Sequence, residues 1–405
     1  MKCFPKNITK SGLHAFSVIV GIILSNALLG ACETESMQPT HIVQLRLPEW
    51  SGKYSVGRCV QEWTDSSRND PFRPENPHRR LAAWVYFPAG ERAKSSLADT
   101  LTNVSELVLE QSWSDAHKPL MQRRFGANAA ESLRRLRTNA LSNKANSLLS
   151  GRLPVLVFAH GMSCLPTDYS AVLEHLSSAG FVVVAIVSPG IASVVRFSEG
   201  TFIGHQKMEE ALYDVLAADI HSAIKLVYRM NTDSGSIWRE RLQTDRIGVF
   251  GHSIGGASAF AALAADSTIA CAINVDGDLV GNGVAHKPQK PLLYFTTQPP
   301  SMQGVPVVEW DNDRSESRRS KVWSAFLGNS SFAVRVRVEG MFHHNMLDVA
   351  LLPQEIFTAN QRANRLGSID GKRGIQLLSE SIEAFFAHYL LQKERVYHPF
   401  DARFL

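Results

Sequence analysis

Three stretches of this chain are apolar almost without a break: Val155-Leu156-Val157-Phe158, the run 181–187, and Arg246-Ile247-Gly248-Val249-Phe250. A strand with one wet face alternates, so a continuous β-branched run indicates a strand covered on both sides. Segments of helical periodicity lie between these runs, at 169–179 (closed by Gly180) and 208–228, and again after the third run at 257–263. That alternation is what parallel strands joined by crossover helices require. Further strands are expected at 269–275, 291–297 and 332–338, and a last helix near 374–394. Upstream, Leu81-Ala82-Ala83-Trp84-Val85-Tyr86-Phe87-Pro88 reads as a strand ended by Pro88-Ala89-Gly90, with 54–63 as its antiparallel partner. The fold class is therefore α/β: a mostly parallel central sheet with helices on both faces.

Residues 91–150 break this rhythm. Leu97, Leu101, Val104 and Val108 fall on one helical face, and Leu133, Leu136 and Ala140 on another, opposite Arg134, Arg135 and Arg137. Two helices inserted ahead of the main sheet are expected. The basic face suits either contact with anionic lipid, a cover over a substrate pocket (a candidate lid), or an ordinary solvated surface.

Chemistry enters at Gly251-His252-Ser253-Ile254-Gly255. The pentapeptide alone is common, but here it joins a buried strand to a helix that opens on small residues. This is the setting of a nucleophile elbow, where a serine occupies a strained turn that its flanking glycines permit. A serine hydroxyl needs a base, and the α/β-hydrolase fold supplies acid and then histidine after the serine. Asp276 follows the strand 269–275, with Asp278 as the alternative acid. His343 and His344 follow the strand 332–338 and a Glu339-Gly340 turn, better placed than His286, His388 or His398; the residues themselves do not separate the adjacent pair. Phe158-Ala159-His160-Gly161-Met162 has the form of an oxyanion loop, whose donors would be the backbone N–H groups of Met162 and Ile254. His160 would position that loop and move no proton.

These residues resemble the secreted platelet-activating factor acetylhydrolases and their bacterial relatives. The likeness is carried by Val56-Gly57, Asp70-Pro71-Phe72, Val85-Tyr86-Phe87-Pro88, the segment Pro154 to Gly161, Thr167-Asp168-Tyr169, Gly180-Phe181-Val182-Val183 and the centre Gly251 to Gly256. The resemblance implies an acid on the strand after the serine, met by Asp276, and a histidine two residues before an asparagine, met by His343 in His343-His344-Asn345. The 91–150 insertion departs from the family pattern.

The N-terminus bears on location. Lys2, Lys6 and Lys10 precede an apolar run that ends in Leu29-Gly30-Ala31-Cys32, a pattern that resembles the lipobox of bacterial lipoproteins. On that reading 1–31 is a signal peptide, Cys32 carries a diacylglyceryl anchor, 32–50 is a tether and 51–405 is the catalytic domain. An uncleaved membrane helix and secretory cleavage near Ala27 or Ala31 are the rivals. Removing the three leader lysines from the net charge of +4 leaves +1, which gives no reason to expect a nucleic-acid partner. Cys59, Cys164 and Cys271 specify no disulfide framework, and no metal-ligand spacing or cofactor motif occurs.

The combined expectation is an exported serine ester hydrolase, anchored by lipid to the cell envelope and favouring its outer membrane. It would act without metal or cofactor on short or oxidised acyl esters of phospholipids. The alternatives are a general carboxylesterase or polyester hydrolase, a peptidase of the same fold, and a non-catalytic surface lipoprotein.

Overall fold

The apolar runs form strands buried on both faces. The structure, a computed structural model, describes residues 45–73, 77–91, 111–142, 149, 151–199, 202–204, 211–280, 289–297, 321–324 and 333–392. In chain order its strands are β1 (Tyr54–Asp65), β2 (Arg79–Glu91), β3 (Leu141–Ser142), β4 (Leu153–Ala159), β5 (Val182–Val187), β6 (Val194–Arg196), β7 (Phe202–Gly204), β8 (Leu242–His252), β9 (Ile269–Val275), β10 (Leu292–Thr296) and β11 (Ala333–Arg337). The helices are α1 (Gln111–Phe125), α2 (Ala127–Arg134), α3 (Ser170–Ser178), α4 (Ala211–Thr232), α5 (Ile254–Ala265), α6 (Ala359–Arg365) and α7 (Gly371–Leu391).

Among the described residues the main sheet runs β11-β10-β9-β8-β4-β5-β2-β1-β3. From β11 to β5 every neighbouring pair is parallel, whereas β2 is antiparallel to both β5 and β1. Side chains alternate across the sheet. Leu156, Phe158, Val183, Phe250 and Ile273 pack with α3, α7 and the inserted helices, and Val155, Val157, Val184, Val249 and Ala272 pack with α4 and α5. Helix α4 presents Leu212, Leu216, Ile220, Ala223 and Val227 to that second layer at three- and four-residue spacing.

Three expectations are corrected. Strand β2 does not end at Pro88 but continues to Glu91. Pairing with β5 covers only Ala82 to Tyr86, so the missing N–H of Pro88 costs that ladder nothing. The second inserted helix stops at Arg134, and Leu136 and Ala140 are buried in non-helical chain. Here the backbone turns to a distant partner: Arg137 N–H donates to the Leu45 carbonyl at 2.9 Å and Leu47 N–H to the Arg137 carbonyl at 3.0 Å. The end of the expected tether, residues 45–50, is thereby docked, with Leu47 buried. The expected face of Leu97, Leu101, Val104 and Val108, like Cys32 and the leader, lies outside the described residues. As for the basic stripe, Arg134 and Arg135 both close on Glu131, as does Lys118. Hydrogen bonding to Arg134 holds the Glu131 carboxyl well below the usual range.

Two buried polar clusters hold the layers in place. Arg79, fully buried at the start of β2, donates to both carboxylate oxygens of Asp219 on α4 (2.7 and 3.2 Å), to Asp70 (3.2 Å) and to the Pro189 carbonyl (2.9 Å). Asp70 also accepts the Phe72 N–H at 3.0 Å, and the Phe72 ring lies 5.1 Å from the guanidinium. The Asp70-Pro71-Phe72 motif is thus the wrapping of a buried arginine. Replacing Arg79 by Ala takes the arginine from buried Asp70 and leaves buried Asp219 with Arg68 alone. The expected loss is about 3–5 kcal/mol of unfolding free energy, read from the denaturant midpoint; an unchanged midpoint would refute this account.

The second cluster sits under α3. Glu174, fully buried, accepts from the Thr138 hydroxyl and the Asn139 N–H, and Asp348 accepts the Ala171 N–H at 3.1 Å. Burial pushes the Glu174 carboxyl up to about 7, from an ordinary 4.5. The folded protein therefore keeps this proton where the unfolded chain has lost it, so stability falls as pH rises from 4.5 to 7 and stays lower above. A Glu174→Gln variant lacks that fall. Relative to the unmodified protein it should gain on the order of 3 kcal/mol between pH 5 and pH 8, measured by chemical denaturation at each pH.

Candidate active site

Strand β8 ends at His252, and Ser253 turns the chain into α5 with φ 58° and ψ −124°. A non-glycine residue pays for such a conformation, and it persists only where its surroundings impose it. The Ser253 N–H donates to the Val275 carbonyl at the end of β9, at 2.9 Å. The two flanking glycines permit close approach. A Cβ on Gly251 would fall 2.3 Å from the Gly255 backbone, and one on Gly255 2.1 Å from the Ala159 carbonyl oxygen.

Asp276 directly follows β9, is buried, and also has positive φ (53°). Its N–H donates to the Phe295 carbonyl at 2.8 Å. One carboxylate oxygen accepts the Thr297 N–H (3.0 Å); the other accepts the Thr297 hydroxyl and His343 Nδ1, both at 2.5 Å. Asp278, the alternative acid, instead meets the Tyr213 hydroxyl at 3.5 Å.

The adjacent histidines separate cleanly in space. His343, about a third exposed, lies over His252 with ring centroids 4.4 Å apart. With Nδ1–H donated to Asp276, its Nε2 carries the free lone pair. His344 packs edge-on to Phe125 at 5.3 Å, and burial pushes its pKa down to about 3, so it stays neutral. Asn345 locks the turn: its side-chain oxygen accepts the N–H groups of Phe342 (2.7 Å) and Gly367 (2.8 Å). His388 sits in α7 beside Tyr389, and His286 and His398 lie outside the described residues.

The loop after β4 comes against the elbow. A Cβ on Gly161 would stand 3.4 Å from the Ser253 Cβ. Gly161 N–H donates to the Tyr169 hydroxyl (3.0 Å), which donates in turn to His252 Nδ1 (2.8 Å). Burial raises the Tyr169 hydroxyl well above its ordinary value and drives His252 well below its own, so both stay neutral in this relay. His160 is buried, donates from Nδ1 to the Gly161 carbonyl (2.8 Å), and faces the Ser188 N–H through Nε2 (3.4 Å). Its pKa falls to about 4 through burial, as befits a loop-positioning residue. Met162 closes the turn, and Ile254 is the first residue of α5, where backbone N–H groups have no intrahelical acceptor.

The structure thus brings Ser253, Asp276, His343, Met162 and Ile254 to one end of the sheet. Thr297 and Tyr169 also take part, and sequence reasoning assigned them no role. Thr297 follows a strand with no local motif, and Tyr169 stood out only as part of a family-like tripeptide. Among the described residues no three His, Cys, Asp or Glu side chains are arranged to hold a metal ion, and Cys59, Cys164 and Cys271 are free thiols.

Comparison with known proteins gives the same frame. A family model described as "Platelet-activating factor acetylhydrolase, isoform II" matches residues 40–189, and one described as "Chlorophyllase" matches residues 146–308. The platelet-activating factor acetylhydrolase of Cavia porcellus is 23% identical over 269 residues, 59% of this chain and 58% of that protein. A probable 1-alkyl-2-acetylglycerophosphocholine esterase of Arthroderma benhamiae is 27% identical over 248 residues, 59% of this chain and 60% of that protein. The chain therefore spans about three fifths of the length of these two relatives. A ferulic acid esterase from Streptomyces cinnamoneus superposes with a TM-score of 0.68 at 22% identity, over 89% of this chain and 98% of that one, a likeness of fold. In sequence the chain is similar to the isoform II platelet-activating factor acetylhydrolases, and its fold is the α/β-hydrolase fold.

Proposed function

We propose that the chain is a serine ester hydrolase in which Ser253 is the nucleophile, His343 the general base and Asp276 the group that orients it. The observation that carries this reading is the 2.5 Å bond from His343 Nδ1 to a buried Asp276, made beside a serine held at positive φ. His343 takes the Ser253 proton as the hydroxyl attacks the ester carbonyl, then returns it to the leaving alcohol. Water repeats the sequence on the acyl-enzyme and releases the acid. The N–H groups of Met162 and Ile254 bind the oxyanion, a donor of this kind contributing ~3 kcal/mol in the transition state. Thr297 keeps the Asp276 carboxylate aimed, and the neutral relay through Tyr169 and His252 keeps the oxyanion loop against the elbow.

The proposed substrates are short or oxidised acyl esters of phospholipids, a reading supported by what the relatives are named for. A general carboxylesterase is the second reading, favoured by the Chlorophyllase match across the Ser253 and Asp276 segment. The same panel of variants tests both on p-nitrophenyl esters and short-acyl phosphatidylcholines. Ser253→Ala should lose at least about a thousandfold, and Asp276→Asn about 10³–10⁴-fold. His343→Ala should fall with them, while His344→Gln keeps most activity. Equal rates for the unmodified protein and Ser253→Ala would end the hydrolase assignment. Turnover of simple esters alone would leave the second reading.

The proposed location is the cell envelope, with Cys32 as lipidation site and the outer membrane as destination. It is supported by the basic leader, the apolar run and Leu29-Gly30-Ala31-Cys32. Metabolic labelling with a fatty acid in a bacterial host should mark the intact chain and not Cys32→Ser; label on both would refute it.

A further inference from the structure

Helix α1 of the insertion turns one face inward, along which Trp113, His117 and Met121 follow at four-residue intervals, with Arg124 and Phe125 three and four residues beyond Met121. That face meets two separate pieces of the candidate site. Phe125 packs on His344, next to His343. Arg124, half-buried, reaches the loop after β4: its Nη2 donates to the Met162 carbonyl at 2.9 Å and its Nη1 to the Cys164 sulfur at 3.4 Å. The fork therefore straddles Ser163. Two turns earlier, His117 Nε2 lies 3.1 Å from Asp168, which accepts the Leu165 N–H, and His117 Nδ1 lies 2.6 Å from the Ser193 hydroxyl.

What Arg124 grips is a strained turn. Ser163 has φ 56° without being glycine, its N–H donates to the Ile191 carbonyl at 2.8 Å, and the Cys164 N–H closes back on the Gly161 carbonyl at 3.1 Å. Such a turn relaxes unless its neighbours impose it. Direct ion pairing does not explain the arginine: among the described residues Arg124 forms no salt bridge, Asp168 acts on it only at a distance, and burial keeps the Cys164 thiol protonated. A guanidinium placed on a backbone carbonyl and a thiol, with no carboxylate, has its geometry as its use.

We propose that Arg124 is a positioning residue for the oxyanion loop: from the insertion it holds the turn from Gly161 to Cys164 in the form that sets Met162 against Ser253. This rests on the hydrolase reading above. The inserted helix is then a brace between the oxyanion loop and the histidine loop, and the reaction depends on it.

The test compares Arg124→Ala and Arg124→Lys with the unmodified protein, using p-nitrophenyl acetate kinetics, fluorophosphonate labelling of Ser253, and amide hydrogen exchange over residues 160–165. Arg124→Ala should lower kcat by about 10–100-fold with KM changed less than about twofold. Added guanidinium ion should restore part of the rate, and exchange at Met162 to Cys164 should quicken. Arg124→Lys, which can reach one acceptor and not both, should fall between. A kcat for Arg124→Ala within about threefold of the unmodified protein, or exchange over 160–165 unchanged, would overturn the proposal. An unmodified protein that neither turns over ester nor labels at Ser253 would refute the hydrolase reading; the exchange rates would still decide whether Arg124 holds the loop.

Discussion

The Ser253 N–H donates to the Val275 carbonyl across the ends of β8 and β9, and most of the site's geometry descends from that bond. It ties Ser253 to the residue just before Asp276, and both Ser253 and Asp276 have positive φ at the carboxyl end of a parallel strand. Neither conformation is favourable alone. Each is imposed: Ser253 by α5, whose glycines let it approach β4 and β8, and Asp276 by the Phe295 carbonyl on the next strand. The sheet thus stores local strain in two adjacent turns and displays a hydroxyl and a carboxylate side by side. The histidine then needs only a loop from β11 long enough to cross three strand ends, with Asn345 to lock its turn.

Around this centre the ionisable groups sort by burial. His160, His252 and His344 are all driven down by loss of solvent and remain neutral, so three of the four imidazoles nearest the elbow serve as shape and hydrogen-bonding elements. His343 alone pairs its Nδ1 with a buried carboxylate and keeps an open side. One imidazole is thereby equipped for proton transfer among neighbours that cannot compete with it.

The described part of the insertion changes the view of that segment. Read from sequence it offered a basic face and the prospect of a lid. In the fold, Glu131 gathers Lys118, Arg134 and Arg135, and the inward face of α1 packs into the same core as the sheet. The signal for this was weak because the inward face mixes Trp113 and Met121 with His117 and Arg124, which dilutes any apolar period. The same weakness hid the end of α2. Local periodicity runs on through Leu136 and Ala140, but the backbone there prefers bonds to residues 45–47, some ninety positions away.

By itself, the sequence determined the class of sheet, its strands other than the short β3 to within a few residues, and the elbow at Ser253. These follow from short-range rules: continuous apolar runs need two covered faces, and a strained serine needs glycines beside it. It also narrowed the acid and the base to two adjacent candidates each. The family resemblance favoured Asp276 and His343, but only the tertiary structure gives the physical reason the members of each pair differ. Asp276 and Asp278, or His343 and His344, share one stretch of chain and differ in which way they leave it. That direction is set by distant partners, Thr297 and Phe295 for the acid, and Phe125 and His252 for the histidines. The grip of Arg124 on Met162 belongs with them, since a hydrogen bond between residues 38 positions apart leaves no trace in the local pattern of either.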